Sequence, residues 1–248
     1  MNLFRRYIIR MFKAGILTDG DLRITEEGVP QGSICSPVMA NIFAHYALDR
    51  WVEDMVKPVC KGKVALFRYA DDGVICCQYE EDAMRIRQTL GKRLEKFNLQ
   101  LNEEKTKLVR FDKRAAARGK KQATFDFLGF TFYWGKSQSG WTIPKLKTRA
   151  KTMRTKLERV NEWAKEIRNK QPMKEIWKIF KAKLRGHVQY YGVSHNIHKV
   201  DEFLHQATRI MFKWLNRRSQ RRSFNWEQFN LFRKIDPIPT AKIAHKLF

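Results

Sequence analysis

The chain has 248 residues, 43% of them hydrophobic, and its 50 Lys and Arg side chains against 25 Asp and Glu give a formal net charge of +25. This apolar content, with seven Trp and 17 Phe, excludes a disordered polypeptide, and the length allows one large or two modest domains. The sequence has no run of about eighteen apolar residues, so no membrane span is expected.

The positive charge is concentrated in the second part of the chain. Residues 1–112 carry 18 basic and 16 acidic side chains, whereas residues 113–248 carry 32 basic and 9 acidic. So many basic side chains repel one another unless a polyanion neutralises them. The second part is therefore predicted to bind nucleic acid. A solvated basic surface that serves only solubility is the alternative.

Cysteine usage indicates the compartment. The four cysteines, at positions 35, 60, 76 and 77, contain no C-x-x-C pair, and two of them adjoin each other in a predicted buried strand. We interpret them as reduced thiols of a cytoplasmic protein rather than as a disulfide framework.

Residues 2–58 are predicted to be mainly helical. Apolar residues at helical spacing predict a first helix over residues 2–14 that ends at Gly15, followed by a turn at 18–21 and a short strand at 22–25. A loop at 28–33 leads into a helix with Ser36 as N-cap. The apolar stripe of this helix extends to Lys57, and His45 is interpreted as a packed structural residue on or beside it. The predicted stripe consists of Val38, Ile42, Leu48, Trp51, Val52 and Met55.

Two neighbouring carboxylates stand in the middle of residues 66–77. The apolar residues on either side predict two short strands, joined by a tight turn at Asp71-Asp72-Gly73. Asp71 and Asp72 could be ordinary turn residues. Like charges this close repel, however, and protonation, solvation or a bound cation relieves the repulsion. A metal site is therefore a candidate.

The rest of the chain is predicted to change from mixed to helical structure. After the hairpin come a helix from Glu80 and a strand at 108–111, which makes the first part α+β with an antiparallel sheet. The basic stretch 113–121 is the predicted domain boundary. A second hairpin follows at 125–143, and beyond Pro144 we expect only helices, at 149–169, from Pro172 through Val188, from near Lys199 to Trp214, and at 226–232. His187 is interpreted as a packed or hydrogen-bonded residue rather than a catalyst.

Three motifs in a fixed order resemble the palm of reverse transcriptases. They are Pro30-Gln31-Gly32, Tyr69-Ala70-Asp71-Asp72 and Phe127-Leu128-Gly129-Phe130. Residues 185–193 and 214–220 further resemble the thumb, or maturase, region of bacterial group II intron-encoded proteins. The resemblance covers the chain from the PQG loop onward. It implies an α+β fold, in which a partial palm with a small antiparallel sheet precedes an all-helical thumb.

The resemblance also implies domains and an activity. Residues 1–112 would be the partial palm, 113–147 a basic linker with a primer-grip-like hairpin, and 148–248 the helical thumb. The implied activity is RNA-directed DNA polymerisation with two Mg²⁺ ions, together with maturase-like binding of intron RNA. The implied partners are an RNA template, a DNA primer and deoxynucleoside triphosphates, and the implied location is the bacterial cytoplasm, associated with the nucleoid or with ribonucleoprotein.

The family's functional residues carry over by position. Asp71 and Asp72 match metal-binding aspartates, and Lys105 matches a lysine proposed to protonate the leaving pyrophosphate, so the resemblance makes these three residues catalytic. The resemblance assigns nucleotide and template contacts to Pro30, Gln31, Gly32, Tyr69 and Ala70. It assigns the primer grip to Leu128 and Gly129. The charge of the basic region, rather than the resemblance, suggests six candidate RNA-contacting cations, which are Lys145, Lys147, Arg149, Arg185, Arg217 and Arg218.

The sequence departs from the family's pattern in two places. Ser33 stands where the family commonly has a second glycine. The family also has a third aspartate on a strand well upstream of the PQG loop, whereas Asp19 and Asp21 lie too near that loop to fill the role. We therefore expect this chain to be the C-terminal portion of a longer protein, with an N-terminal fingers and palm segment as its missing partner.

Two alternatives to an active polymerase stay open. One is a catalytically inactive, maturase-like RNA-binding protein that assists intron splicing. The other is a decayed remnant with neither activity. The sequence has no C-terminal Cys/His cluster of the kind expected for an H-N-H endonuclease module.

Overall fold

The computed structural model describes residues 3–13, 16–18, 21–23, 36–218 and 225–247. The chain divides into two compact units, Met1–Leu108 and Val109–Phe248. The described residues form short antiparallel sheets and eight α-helices, which confirms the predicted α+β class. Among the helices that the structure describes, none is long and apolar enough to cross a membrane. The PQG loop and the predicted helix end at Gly15 lie outside the described residues.

The first unit begins with a helix and a small hairpin. Helix α1 spans Leu3–Lys13, and β1 (Ile16–Thr18) pairs antiparallel with β2 (Asp21–Arg23), so that Thr18 faces Asp21. The short strand predicted over 22–25 therefore starts one residue earlier, and its predicted end lies outside the described residues.

The second helix of the first unit is locally overwound and underwound along its length. Helix α2 (Ser36–Ala44) continues through π-helical turns at His45–Asp49 and Val52–Val56 to a 3₁₀ turn at Lys57–Val59. Each π-helical turn adds a residue and rotates the side chains that follow. From His45 onward the buried residues are Ala47, Trp51, Val52 and Val56, and the predicted stripe is wrong at Met55, which is exposed. It is also wrong at Val38 and Ile42, which precede the π-helical turns and lie on an exposed face of α2.

The prediction of a packed His45 is also wrong. Its side chain is 54% exposed, and its Nδ1 lies 3.4 Å from the Asp49 Oδ2 one turn later. His45 follows Val38 and Ile42 at regular helical spacing, and all three lie on a face of the helix that is exposed rather than packed.

A hairpin and a third helix complete the core of the first unit. Strand β3 (Val64–Tyr69) pairs with β4 (Asp72–Cys77), and α3 (Glu80–Glu95) follows. Val64 of the hairpin and Ile86 of α3 are buried in one cluster with Trp51, Val52 and Val56. The sequence analysis did not single out Asp82, which is fully buried and accepts hydrogen bonds from the backbone N–H groups of Lys61 and Gly62 at 3.1 and 3.0 Å.

The strand predicted at 108–111 does not form. Leu108 is 52% exposed, and Phe111 instead stacks on Trp134, with ring centroids 4.6 Å apart, and meets the ring of Phe125 edge-on at 5.2 Å. A strand needs a neighbouring ladder for its backbone groups, and these residues have none.

The second unit starts with a short helix and a three-stranded sheet. Helix α4 (Lys113–Ala117) has Asp112 as its N-cap. Strands β5 (Phe125–Phe127), β6 (Phe130–Lys136) and β7 (Thr142–Thr148) form an antiparallel sheet in that order. The expectation of helix beyond Pro144 is wrong up to Thr148. Pro144 is tolerated because β7 is an edge strand, where a missing N–H need not break a ladder.

Four helices form the rest of the second unit. They are α5 (Ala150–Ile167), α6 (Met173–Tyr191), α7 (Ile197–Leu215) and α8 (Trp226–Ile235). Their apolar faces build the larger core around Trp177, Phe180 and Phe229. His187 is buried in this core and stacks on Phe203 at 3.6 Å between ring centroids, which confirms a packed role.

Candidate active site

The tip of the β3–β4 hairpin consists of Ala70 and Asp71. Tyr69 faces Asp72 in the strand register, and Ala70 has a positive φ of 52°. The predicted turn at Asp71-Asp72-Gly73 is therefore wrong in detail, because Asp72 and Gly73 lie in β4. A two-residue hairpin loop needs a positive φ at its first position or at both positions, and here Ala70 adopts it.

Arg68 fixes this turn. Its Nε and Nη2 donate to the two carboxylate oxygens of Asp49 at 2.6 and 2.8 Å, and its Nη1 donates to the Ala70 carbonyl and to Asn41 Oδ1, each at 2.9 Å. The hydrogen bonds from Arg68 hold the pKa of Asp49 below its ordinary value of 3.8, against the opposite effect of burial. The strained turn is thus held to the π-helical turn His45–Asp49.

Sequence reasoning missed this pair, although a signal was present. In β3, Arg68 alternates with Leu66 and Val64, both of which contact the core, so its side chain is on the inward face. An inward guanidinium needs a carboxylate or other acceptors. Asp49 on the preceding helix satisfies this requirement.

The hairpin presents its other face to solvent. Phe67 and Tyr69 are 57% and 67% exposed, and Asp72, directly opposite Tyr69, shares their face. Asp71 at the tip is exposed as well. Both carboxylates are therefore accessible to solutes, beside an exposed aromatic ring.

The donor set at the tip fits part of a metal site. Within the ranges that the structure describes, no three His, Cys, Asp or Glu residues come together in a metal-binding group. Mg²⁺ takes oxygen ligands and is commonly bound through one or two carboxylates plus substrate phosphates. Asp71 and Asp72 can supply such a pair of carboxylates.

Lys105 lies in a turn of the same unit. Its backbone N–H donates to Asn102 Oδ1 at 3.1 Å, and the next backbone N–H, of Thr106, donates to the Asn102 carbonyl at 2.9 Å. Glu103 forms an ion pair with Arg87 of α3. These contacts fix the backbone of the turn and leave Lys105 exposed. Of the other predicted contact residues in this unit, Pro30, Gln31 and Gly32 lie outside the described residues.

The Leu128-Gly129 turn is held by the end of α6. Both residues have positive φ, 50° and 79°. The Tyr190 hydroxyl donates to the Leu128 carbonyl at 3.1 Å, and the Arg149 backbone N–H donates to the Gly129 carbonyl at 3.0 Å. A Cβ at position 129 would lie only 2.8 Å from the Tyr191 hydroxyl oxygen, so glycine is required here for both its φ and its size. Sequence reasoning did not connect the two tyrosines with this turn.

The six candidate RNA-contacting cations differ in their surroundings. Lys147 and Arg217 lie over the rings of Tyr133 and Trp214, each 5.3 Å from the ring centroid. Arg149 forms an ion pair with Asp126 at 2.9 Å, and Arg218 donates to the Gln171 carbonyl at 3.1 Å. The aliphatic part of Lys145 lies beside Gly135. Arg185 is exposed on α6.

Comparison with known proteins identifies the family. No curated protein matches the chain. The sequence model of the family described as Reverse transcriptase (RNA-dependent DNA polymerase) matches residues 3–132, just over half of the chain. The matched segment contains the hairpin with Asp71 and Asp72 and the Leu128-Gly129 turn. The chain therefore belongs to the reverse transcriptase family.

Proposed function

We propose that this chain is an RNA-directed DNA polymerase of the group II intron type that also binds intron RNA in the manner of a maturase. Membership of the reverse transcriptase family supports RNA-directed DNA polymerisation in general. The observation that carries the proposal is the solvent-exposed pair Asp71 and Asp72, held on a hairpin tip whose turn Arg68 fixes.

In this proposal the two carboxylates hold Mg²⁺. The bound ions would lower the pKa of the attacking 3′-hydroxyl and offset the charge of the triphosphate. Asp71 and Asp72 supply oxygen ligands, and the exposed ring of Tyr69 contacts the incoming nucleotide. The exposed ammonium of Lys105 donates a proton to the leaving pyrophosphate. Pro30, Gln31 and Gly32 contact nucleotide and template, and the Leu128-Gly129 turn contacts the primer end.

The proposed partners follow from the same assignment. The substrates are an RNA template, a DNA primer and deoxynucleoside triphosphates, and the basic second part of the chain contacts intron RNA. The metal site of the family has a third carboxylate, which the resemblance places on a fingers and palm segment. Attraction of the basic side chains to phosphates supports RNA binding, since each neutralised phosphate releases counterions.

Primer extension on an RNA template tests the proposal. Asp71→Ala should lower DNA synthesis by about a hundredfold or more, because a catalytic metal ion supplies several kcal/mol of transition-state stabilisation. Asp54→Ala is the matched control, since Asp54 is an exposed carboxylate that pairs with Arg50 on the second helix. Synthesis that resists Asp71→Ala would refute the assignment. If the chain alone is inactive, the same variants are compared after the upstream segment has been added in trans.

One observation favours the alternative of a catalytically inactive RNA-binding protein that assists intron splicing. Residues 113–248 carry 32 basic and 9 acidic side chains, an excess that suits contact with RNA phosphates and requires no metal site. Under this alternative, Asp71→Ala leaves intron RNA binding and assisted splicing unchanged, and no DNA synthesis is found under any condition. Loss of splicing in this variant would count against it.

A further inference from the structure

The second unit contains a cavity that none of the assignments above uses. It has a volume of about 540 Å³ and lies between α7, α8 and residues 238–241. Leu204, Ile238 and Pro239 line its apolar side, and His205, Arg209 and Arg233 line it with basic groups. The volume is within the range of about 300–1,000 Å³ that small-molecule sites occupy.

The charges that line the cavity favour an anion. The lining contains two arginines, Arg209 and Arg233, and one carboxylate, Asp201. His205 adds a further hydrogen-bond donor or acceptor. The Nε of Arg233 is buried, and it has no hydrogen-bond partner among the residues that the structure describes. A buried guanidinium N–H without an acceptor is costly, and phosphate oxygens are the acceptors that arginine binds best.

Trp226 adds an aromatic surface to the same cavity. Its ring stacks on Phe212, with centroids 3.8 Å apart and an interplanar angle of 23°, and meets the ring of Phe229 edge-on at 6.0 Å. These contacts fix the orientation of the indole, yet Trp226 remains 46% exposed. A fixed and exposed aromatic ring beside arginines is the arrangement that stacks unpaired bases.

The walls of the cavity are held in place by internal contacts. The Trp177 indole N–H donates to the Asp236 carbonyl at 3.0 Å, and Lys181 forms an ion pair with the Asp236 carboxylate, which anchors the chain just before residues 238–241. At the start of α8, Asn225 and Gln228 form a reciprocal capping box. The site is therefore largely preformed, which lowers the entropic cost of binding.

We propose that this cavity binds one nucleotide of single-stranded RNA. The base stacks on Trp226, and the adjoining phosphate accepts hydrogen bonds from Arg209 and Arg233. Asp201 accepts from a ribose hydroxyl or a base amino group. The proposal rests on the proposed RNA binding by the second unit, and it deepens that function by locating a base-stacking site apart from the six candidate cations that the charge of the basic region suggested.

Fluorescence anisotropy with a labelled single-stranded RNA decamer and the full chain tests this site. Trp226→Leu should weaken binding about 5- to 150-fold, since stacking of one base contributes about 1–3 kcal/mol. Arg209→Gln and Arg233→Gln should each lower the slope of log affinity against log salt by about 0.7, the value for one phosphate on a single strand. Thermal unfolding shows whether each variant is folded, and the exposed position of Arg209 keeps that variant informative if Arg233→Gln unfolds.

The controls are Trp141→Leu, an indole 73% exposed in the loop between β6 and β7, and Arg159→Gln, an exposed arginine of α5. Both should change affinity less than about twofold, the size of effect typical of one exposed side chain outside a site. RNA that carries 5-iodouridine should also crosslink to Trp226 under ultraviolet light.

Three results would overturn the proposal. If the Trp226 and arginine variants bind RNA as tightly as the two controls, the cavity is not a binding site, and RNA binding by the unit still stands. If Trp226→Leu weakens duplex and single-stranded RNA equally, base stacking is refuted. If the unaltered chain binds no RNA at any salt concentration, both this proposal and the proposed maturase-like function fail.

Discussion

Arg68 joins the tip of the carboxylate-bearing hairpin to Asp49 on the preceding helix. Two nitrogen–oxygen contacts of 2.6 and 2.8 Å form the pair, and a third nitrogen of the same guanidinium binds the carbonyl of Ala70. The Arg68 side chain is 12% exposed and that of Asp49 26%. Because Ala70 has a positive φ and directly precedes Asp71, this ion pair determines where the proposed metal ligand stands.

Removal of the Asp49 charge should destabilise the first unit. Asp49→Asn is expected to lower the free energy of unfolding by about 1–3 kcal/mol, because hydrogen bonds to charged groups contribute this much and Arg68 is left without its carboxylate. Urea unfolding measures the change. Asp54→Asn is the control, since the exposed Arg50–Asp54 pair should contribute no more than about 1 kcal/mol. Equal losses in the two variants would contradict the special role of Asp49.

The same pair should make stability depend on pH in acid. The pKa of Asp49 in the folded protein lies below its ordinary value of 3.8, so its contribution is complete well above pH 3.8 and is lost as pH falls through the folded-state pKa. The difference in unfolding free energy between the unaltered chain and Asp49→Asn should therefore be constant from pH 8 to about pH 5 and shrink in stronger acid. A difference that persists undiminished through the acid range would show that the ion pair is not its source.

Alanine at position 129 should destabilise the protein more than alanine at position 140, a glycine with a similar φ but open space around it. Gly129→Ala brings a Cβ within 2.8 Å of the Tyr191 hydroxyl oxygen, whereas Gly140, with φ 81°, has no such neighbour. Gly129→Ala and Gly140→Ala each incur backbone strain of about 1 kcal/mol. Thermal unfolding should show a larger loss of stability for Gly129→Ala. Adding Tyr191→Phe, which removes the clashing atom, should restore most of the difference. If the second substitution restores nothing, the steric explanation fails.

His187 should remain neutral in moderate acid. Burial, and secondarily the charge of Lys156, lower its pKa from 6.5 to about 3. Since the unfolded chain binds a proton more readily, stability should fall as pH drops from 6.5 toward 3, by up to about 2 kcal/mol at pH 5. His187→Leu should flatten this part of the pH profile, and NMR titration should show no protonation of the imidazole above pH 4. A midpoint near 6.5 would contradict burial.

The sequence predicts elements well where periodicity or a turn motif determines them locally. The two strands around Asp71, helices α5 to α8, and the start of the second helix within one residue of the predicted N-cap Ser36 all follow from hydrophobic spacing and capping. Predictions fail where tertiary contacts decide the outcome. The π-helical turns change the spacing of the residues after His45, so Met55 is exposed. An edge position accommodates Pro144 in β7, and Phe111 stacks on Trp134 where a strand was predicted.

The sequence identifies the candidate metal ligands, which stay a prediction, but it does not identify the contacts that hold their turn. The motif identifies Asp71 and Asp72, but the contacts that hold their turn come from Asp49 and Asn41, 19 and 27 residues away from Arg68 along the chain. Asp82 likewise binds the backbone of Lys61 and Gly62 across a comparable separation. Such contacts depend on how the helix packs against the hairpin, and this packing cannot be predicted from the spacing of residues along the chain.

Metal binding at the hairpin tip is the most direct test of the proposal that Asp71 and Asp72 hold Mg²⁺. Mn²⁺, a paramagnetic substitute for Mg²⁺, is titrated into the isotope-labelled chain in the presence of a deoxynucleoside triphosphate, and the line widths of backbone amide signals are recorded. We expect the signals of Ala70 to Gly73 to broaden first. A variant carrying both Asp71→Asn and Asp72→Asn should lose this broadening, whereas Asp54→Asn should keep it. Broadening that begins elsewhere, for example at the acidic first turn of α3, and that is unchanged in the double variant would contradict the proposal.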